Sequence, residues 1–290
     1  MANERPDESE RTKLTAHDIR ARKGGPRLSM VSVYDFPFAR LATEAGIDIL
    51  LVGDSLGMVV QGHDSTVPVT LDDIIYHAKA VRRGAPRTHV VADLPFLTYH
   101  TETGRAIENA GRLLQEGGAD SVKLEGGQEV AEQVAAIVRA GIPVMGHVGL
   151  TPQSAGTLGG FKVQGRDLAS ARKILADAHA LADAGAYAIV VEVVPAELGG
   201  MITASIPVPT IGIGAGPVCD GQVLVAHDML GLQDRIIGRF AKVYAATGDD
   251  IRRAFTSFAE EVREGSFPDE EHSYGMAKDV LAQLRESSGS

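Results

Sequence analysis

The sequence predicts a single-domain α/β protein, a (β/α)8 TIM barrel, and three observations carry that expectation. Eight apolar strand candidates alternate with helical patterns. Four helical patterns stop at a glycine, and a strand begins about two residues later. Four strands run out into an acid. A chain of 290 residues is long enough for one such barrel, which typically takes about 250. An open doubly wound sheet is the alternative, and it turns on the eighth strand, whose pattern is the weakest.

The elements follow in order. Leu14 to Lys23 reads as a short helix closing the barrel bottom. Strands are expected at 30–34, 49–53, 89–93, 120–124, 143–146, 187–193, 208–213 and 222–226. Each is a short apolar run, because a parallel strand is buried on both faces. Helices are expected at 37–46, 71–82, 104–117, 128–140, 167–184, 196–204 and 248–264, where apolar residues recur at helical spacing. The junctions Gly46, Gly118, Gly141 and Gly185 end helices because glycine takes the left-handed position there without a Cβ clash. A short loop then returns the chain to the sheet, giving repeated βα units and a parallel sheet. Connectors 55–69 and 148–166 are long and rich in Gly, Thr and Gln, as lids and binding loops are. Residues 1–12 read as a disordered tail, 13–273 as the barrel, and 274–290 as a C-terminal helix and tail, with 286–290 disordered.

Composition excludes several function classes. The net charge is −10, and no basic run exceeds pairs such as Arg82-Arg83, so a nucleic-acid backbone is not the partner. No stretch approaches ~18 apolar residues, so no membrane span is expected. The polar segment Met1 to Thr12 lacks the apolar core of a secretory signal. The lone Cys219 excludes an intramolecular disulfide and a multi-cysteine zinc site. A cytoplasmic protein is the expectation.

The acids Asp54, Asp93, Glu125 and Glu192 fall late in strands two, three, four and six. A carboxylate on a buried strand pays a desolvation cost unless it binds a metal, pairs or stays protonated. One such acid could simply pair with a cation or cap the next helix; four suggest a site at the C-terminal barrel face, where these enzymes react. Oxygen ligands without cysteine or a histidine-rich set suit Mg²⁺. Asp54 and Asp93 can be ligands, and Glu125 a third ligand or the holder of a metal-bound water. Glu192 lies in the most apolar run, and burial makes a carboxylate a better general base. Lys123 shares the inward face with Glu125, two residues on, and could bind a substrate carboxylate or merely balance Glu125. His147 ends strand five and is either a substrate contact or a satisfied core histidine. The run Gly212 to Gly216 is a tight turn or a phosphate loop, with the turn favoured. The His227-Asp228 pair suggests a helix start or a surface role. Gly53 to Gly57 matches G-x-S-x-G with Ser55 as nucleophile, and Asp269 with His272 could complete a GDSL-type serine esterase. That reading leaves Asp93, Glu125 and Glu192 without a task.

Six motifs in fixed order then carry a resemblance: Val-Gly-Asp-Ser-Leu-Gly-Met (52–58), Gln-Gly-His-Asp-Ser-Thr (61–66), Ala-Asp-Leu-Pro-Phe (92–96), Val-Lys-Leu-Glu-Gly-Gly (122–127), Gly-His-Val-Gly-Leu-Thr-Pro-Gln (146–153) and Ile-Gly-Ile-Gly-Ala-Gly (211–216). Over about residues 14–273 the chain resembles the ketopantoate hydroxymethyltransferase family of pantothenate synthesis, the route to coenzyme A. The resemblance implies a (β/α)8 barrel, one Mg²⁺ per subunit and a homodecamer. It implies one-carbon transfer from 5,10-methylenetetrahydrofolate, a reduced folate, to the α-keto acid α-ketoisovalerate. Asp54 and Asp93 match the family's metal positions, with Glu125 grouped beside them. Ser55, Asp93 and Lys123 match substrate contacts, and Glu192 matches the proton-abstracting base. A different Mg²⁺-dependent enolate-forming oxo-acid lyase or aldolase is the nearest alternative.

Overall fold

The computed structural model describes residues 12–157, 159–233 and 238–288. Eight parallel strands, β1 (Leu28–Ser32), β2 (Ile49–Val52), β3 (His89–Asp93), β4 (Ser121–Glu125), β5 (Val144–Gly149), β6 (Ala188–Glu192), β7 (Thr210–Ile213) and β8 (Gly221–Val225), pair in chain order. The register Leu28↔Gly221 to Ser32↔Val225 joins β8 to β1 and closes the barrel. The doubly wound alternative is therefore excluded. The weak pattern of β8 has a cause. A Cβ at Gly221 would lie 2.6 Å from Leu28 O, so the pairing needs glycine where a β-branched residue would have announced a strand.

The helices are α1 (Ala16–Arg20), α2 (Phe36–Glu44), α3 (Leu56–Val59), α4 (Leu71–Gly84), α5 (Thr103–Gln115), α6 (Ala131–Arg139), α7 (Leu168–Asp183), α8 (Ala196–Ser205), α9 (Ala226–Met229), α10 (Thr247–Glu264) and α11 (Lys278–Ser287). Thr15 and Thr70 form capping boxes on α1 and α4, and Asp35 and Asp167 cap α2 and α7, satisfying first-turn amides. Gly46, Gly118, Gly141 and Gly185 have φ of 87°, 72°, 87° and 99°, the left-handed backbone expected at those junctions. The expected first tail lies outside the described residues up to position 11, and α11 carries the C-terminal helix through Ser287, beyond the expected helix end at 285.

The core has two layers. Met30, Ile49, Leu51, Val91, Met145, Val190, Ile211 and Val223 fill the barrel. Ile19 of α1 seals it from below, fully buried. A larger shell packs strands against helices. Near the bottom, His89 bonds to Leu14 O (3.0 Å) and Ser121 Oγ (2.9 Å), and Tyr187 closes the network on Ser121 (2.8 Å). Burial pushes the His89 pKa down to about 4, so this layer is neutral and satisfied. In contrast, α10 has no buried residue and exposes Ile251, Phe255, Phe258 and Val262 at helical spacing.

Candidate active site

Parallel strands bring all their C-terminal ends to one mouth. Adjacent-strand register then sets the neighbours: Asp93 opposite Lys123, Glu125 opposite His147, Gly149 opposite Glu192. The side chains of Asp93, Lys123, Glu125, His147 and Glu192, with Asp54 just beyond β2, line a cavity of about 210 Å³. The sequence-predicted residues Asp54, Ser55, Asp93, Lys123, Glu125, His147 and Glu192 all reach it.

At its base, Asp54, Asp93, Lys123, Glu125 and His147 are buried. The Asp54 amide donates to Asp93 Oδ2 at 3.1 Å, which ties the two acids together. Lys123 Nζ lies 2.9 Å from Asp93 Oδ1, yet that oxygen accepts no aligned hydrogen bond. Lys123 Nζ also lies 3.4 Å from His147 Nδ1. A lysine donates there, so the ring proton belongs on Nε2, 3.1 Å from Glu192 Oε2. Burial, reinforced by the Lys123 charge, lowers the His147 pKa, so the ring is neutral.

Glu192 differs from its expectation. It is not deeply buried: its side chain is 15% exposed and faces His147 at the cavity wall. Two backbone features aim it. A Cβ at Gly149 would sit 2.2 Å from Glu192 O, so glycine lets the ends of β5 and β6 meet. The next residue, Val193, has φ 47°, a strained conformation for a β-branched residue. It is held there by Val193 N to Ile213 O (2.8 Å) and Gln164 N to Val193 O (2.9 Å).

The sequence pattern gives no role to Tyr99 and Tyr34, reads Asp228 only as a helix start or surface residue, and shows Gln153 only inside a motif. Gln153 Nε2 donates to Asp54 Oδ2 (2.7 Å) and Leu94 O (3.0 Å), while its amide donates to Glu125 Oε2 (3.0 Å). The Tyr99 hydroxyl donates to Gln153 Oε1 at 2.8 Å and accepts from the Glu125 amide at 3.2 Å. This network holds two of the acids from the loop after β5. Tyr34, just past β1, bonds Ser55 Oγ at 2.7 Å. No local pattern marks these residues; only the closed barrel brings them together.

The electrostatics suit a divalent cation. Burial, then the Asp93 charge, pushes the Asp54 pKa up to about 7. Burial and the neighbouring Asp54 raise that of Glu125 well above the carboxylate range. Burial lowers the lysine pKa, but Asp93, Glu125 and Asp54 together outweigh it and keep Lys123 charged. One lysine thus faces three buried acids. Among the described residues no three His, Cys, Asp or Glu side chains form a ready-made metal cage. The arrangement fits instead an ion that takes one or two carboxylates and leaves positions for water and substrate, as Mg²⁺ does. Asp93 Oδ1, ion-paired with Lys123 but accepting no aligned hydrogen bond, is the observation that favours it.

Other motifs resolve structurally. A Cβ at Gly216 would meet Ala196 Cβ at 2.6 Å, so the glycine run after β7 is a tight turn packed on α8. Asp269 and His272 bond one another at 2.6 Å on the exposed C-terminal segment. Among the described residues Ser55 Oγ bonds Tyr34 and no histidine.

Fold and site define a class: a (β/α)8-barrel enzyme whose strand-end acids surround one buried lysine. The sequence profile of the ketopantoate hydroxymethyltransferase family matches residues 13–270. The 3-methyl-2-oxobutanoate hydroxymethyltransferase of Moorella thermoacetica is 59% identical over 267 residues, covering 92% of this chain and 99% of that one. The protein of the same name from Carboxydothermus hydrogenoformans is 57% identical over 263 residues, covering 91% and 95%. Among solved structures, 2,3-dimethylmalate lyase is 18% identical with a TM-score of 0.56, covering 96% of this chain and 98% of its own, a likeness of fold. This chain belongs to the ketopantoate hydroxymethyltransferase family.

Proposed function

We propose that the protein makes ketopantoate, for pantothenate supply, by moving a one-carbon unit from 5,10-methylenetetrahydrofolate to 3-methyl-2-oxobutanoate (α-ketoisovalerate). The observation that carries this reading is Glu192, a half-buried carboxylate facing the same cavity as the Asp54–Asp93 pair and Lys123. Asp54 and Asp93 would hold the Mg²⁺, one per subunit, with Glu125 supporting it directly or through water. When bound, the ion supplies Lewis acidity toward a 2-oxo acid.

The chain's own groups do the rest. Lys123 offsets the substrate carboxylate, and Ser55 with His147 completes the substrate contacts. Glu192 takes the proton from C3. His147 Nε2, neutral and 3.1 Å away, faces the Glu192 carboxylate without an aligned hydrogen bond in this arrangement. Water cleaves the two N–CH2 bonds of the folate, so that tetrahydrofolate leaves and the one-carbon unit is released at the formaldehyde level. The C3 carbanion adds to that carbonyl carbon, and the new alkoxide takes back the proton held by Glu192. Met58 and Val59 from α3, which follows β2, and Pro152 and Phe161 from the segment after β5, line the cavity and exclude water that would reprotonate the carbanion.

The direct test is proton NMR of α-ketoisovalerate in D2O with the protein and Mg²⁺, followed by the folate-coupled assay. Ketopantoate formation that stops with excess chelator is the expected result, with or without C3 exchange in the absence of folate. No product with folate and any divalent ion would overturn the reading. Product or bond cleavage independent of folate would favour an oxo-acid lyase. The esterase alternative has its own check. Among the described residues Ser55 Oγ is hydrogen-bonded to Tyr34 and to no histidine, so a fluorophosphonate probe should leave Ser55 unlabelled; labelling would revive that alternative.

The proposal extends to a cytoplasmic homodecamer. The exposed stripe Ile251, Phe255, Phe258, Val262 supports self-association. No helix among the described residues is long and apolar enough to cross a membrane. Sedimentation should give a decamer, and a monomer at micromolar concentration would refute the assembly.

A further inference from the structure

The active cavity has two chemically distinct parts. Its base is buried and charged, built by Asp54, Asp93, Lys123 and Glu125. Its outer wall is different: Asp228, Gln233, Phe161 and Phe240 line the same cavity, and the two rings are 53% and 39% exposed. The base suffices for a small 2-oxo acid. The outer wall has no task in that half of the reaction.

Asp228 is a half-buried carboxylate just past β8, on α9. Among the described residues it forms no ion pair, and its carboxylate accepts one hydrogen bond, from Gln233 Nε2 to Oδ1 at 2.9 Å. That leaves Oδ2 and the Gln233 carbonyl oxygen as further acceptors on residues that both line the cavity. Burial raises the Asp228 pKa, and the Gln233 hydrogen bond only partly offsets it. Beside it, the Phe240 ring is fixed by glycine on both sides. A Cβ at Gly238 would lie 2.3 Å from Phe240 Cε1, and one at Gly214 would lie 3.1 Å from Phe240 Cγ. A side chain at Gly238 would displace the ring.

A carboxylate without an ion pair among the described residues, beside exposed aromatic rings, suits a flat heterocycle with two adjacent N–H donors. The 2-amino-4-oxo ring of a reduced folate presents the ring N3–H and the exocyclic amine in parallel, the pattern that pairs with a carboxylate in bidentate fashion. The folate's glutamate tail carries negative charge and would be repelled by Asp228, so the heterocycle end is the one that fits. We propose that Asp228, oriented by Gln233, is the recognition group for the folate's 2-amino-4-oxo ring, with Phe240 and Phe161 as its apolar walls. This rests on the transferase reading and extends it to a subsite.

The experiment uses the full-length protein with Mg²⁺ and α-ketoisovalerate. Asp228→Asn keeps the shape but turns one acceptor into a donor. Its KM for methylenetetrahydrofolate should rise at least tenfold, while the dissociation constant of α-ketoisovalerate moves less than threefold. A folate KM within twofold of wild type would overturn the assignment. A second measurement needs no variant. 6-Methylpterin should bind wild type at least tenfold more tightly than 6-methyllumazine, which carries oxygen in place of the 2-amino group. Equal binding would also overturn it. If wild type makes no ketopantoate but still prefers the pterin, and Asp228→Asn removes the preference, the transferase reading fails and the subsite stands.

Discussion

Replacing Glu192 with Gln should lower turnover by about 10³-fold, within the 10²–10⁴ range for loss of a general base. Binding of α-ketoisovalerate and Mg²⁺ should persist. The variant is close to isosteric, and the groups that fix position 192 are backbone groups: the approach of Gly149 and the two hydrogen bonds that pin Val193. The amide should therefore occupy the carboxylate's place beside His147 without moving β6. What it lacks is a lone pair basic enough to take the C3 proton. Calorimetry of ketoacid binding separates lost chemistry from lost binding, and exchange of the C3 proton with D2O tests the proton step itself. Undiminished turnover would sink the base assignment; weakened ketoacid binding with normal turnover at saturation would make Glu192 a binding group only.

The second large effect has opposite signs on stability and on metal binding. Asp54→Asn should make the metal-free protein more heat-stable at pH 8 and abolish its stabilisation by Mg²⁺. Burial and then Asp93 push the Asp54 pKa up to about 7, from 3.8. A carboxyl whose folded pKa lies above its unfolded value holds its proton more tightly when folded. Its contribution is then unfavourable once the unfolded chain ionises near pH 4. The penalty grows until the native carboxyl ionises near pH 7, and it is constant above that. Asparagine removes it while its carbonyl still accepts from Gln153 Nε2, so this buried bond survives. A gain of several degrees in Tm at pH 8 is expected, at about 2–4 °C per kcal/mol for a large domain, shrinking toward pH 4. Mg²⁺ in millimolar excess should raise the wild-type Tm at pH 8 more than at pH 5.5, because it binds the ionised acids, and should leave the variant unmoved. Differential scanning calorimetry with and without chelator checks both. A variant less stable than wild type in chelator at pH 8 would show that Asp54 is compensated by the protein alone. A normal Mg²⁺ shift would remove Asp54 from the metal site.

Several elements were legible because their signals are local. The strand runs at 49–53 and 89–93 appear as β2 and β3 within a residue, since a strand buried on both faces must be apolar throughout. Gly46, Gly118, Gly141 and Gly185 marked real left-handed junctions. Lys123 and Glu125 do face the cavity together, as alternation along a strand requires. The surroundings of Glu192 were misjudged because an apolar run describes strand neighbours, whereas the end of β6 faces the open mouth and His147.

By itself, the sequence determined the repeated βα order, the acids at the strand ends and the family. Each of these is written in residue types at short spacing. Only the tertiary structure decided that the barrel closes through β8, that Gln153 supports Asp54 from 99 positions away, and that Asp228 and Phe240 share the cavity with the acids. Those facts depend on which strand ends become neighbours when the sheet closes. Closure is set by pairing between the first and last strands, which no local window of residues contains.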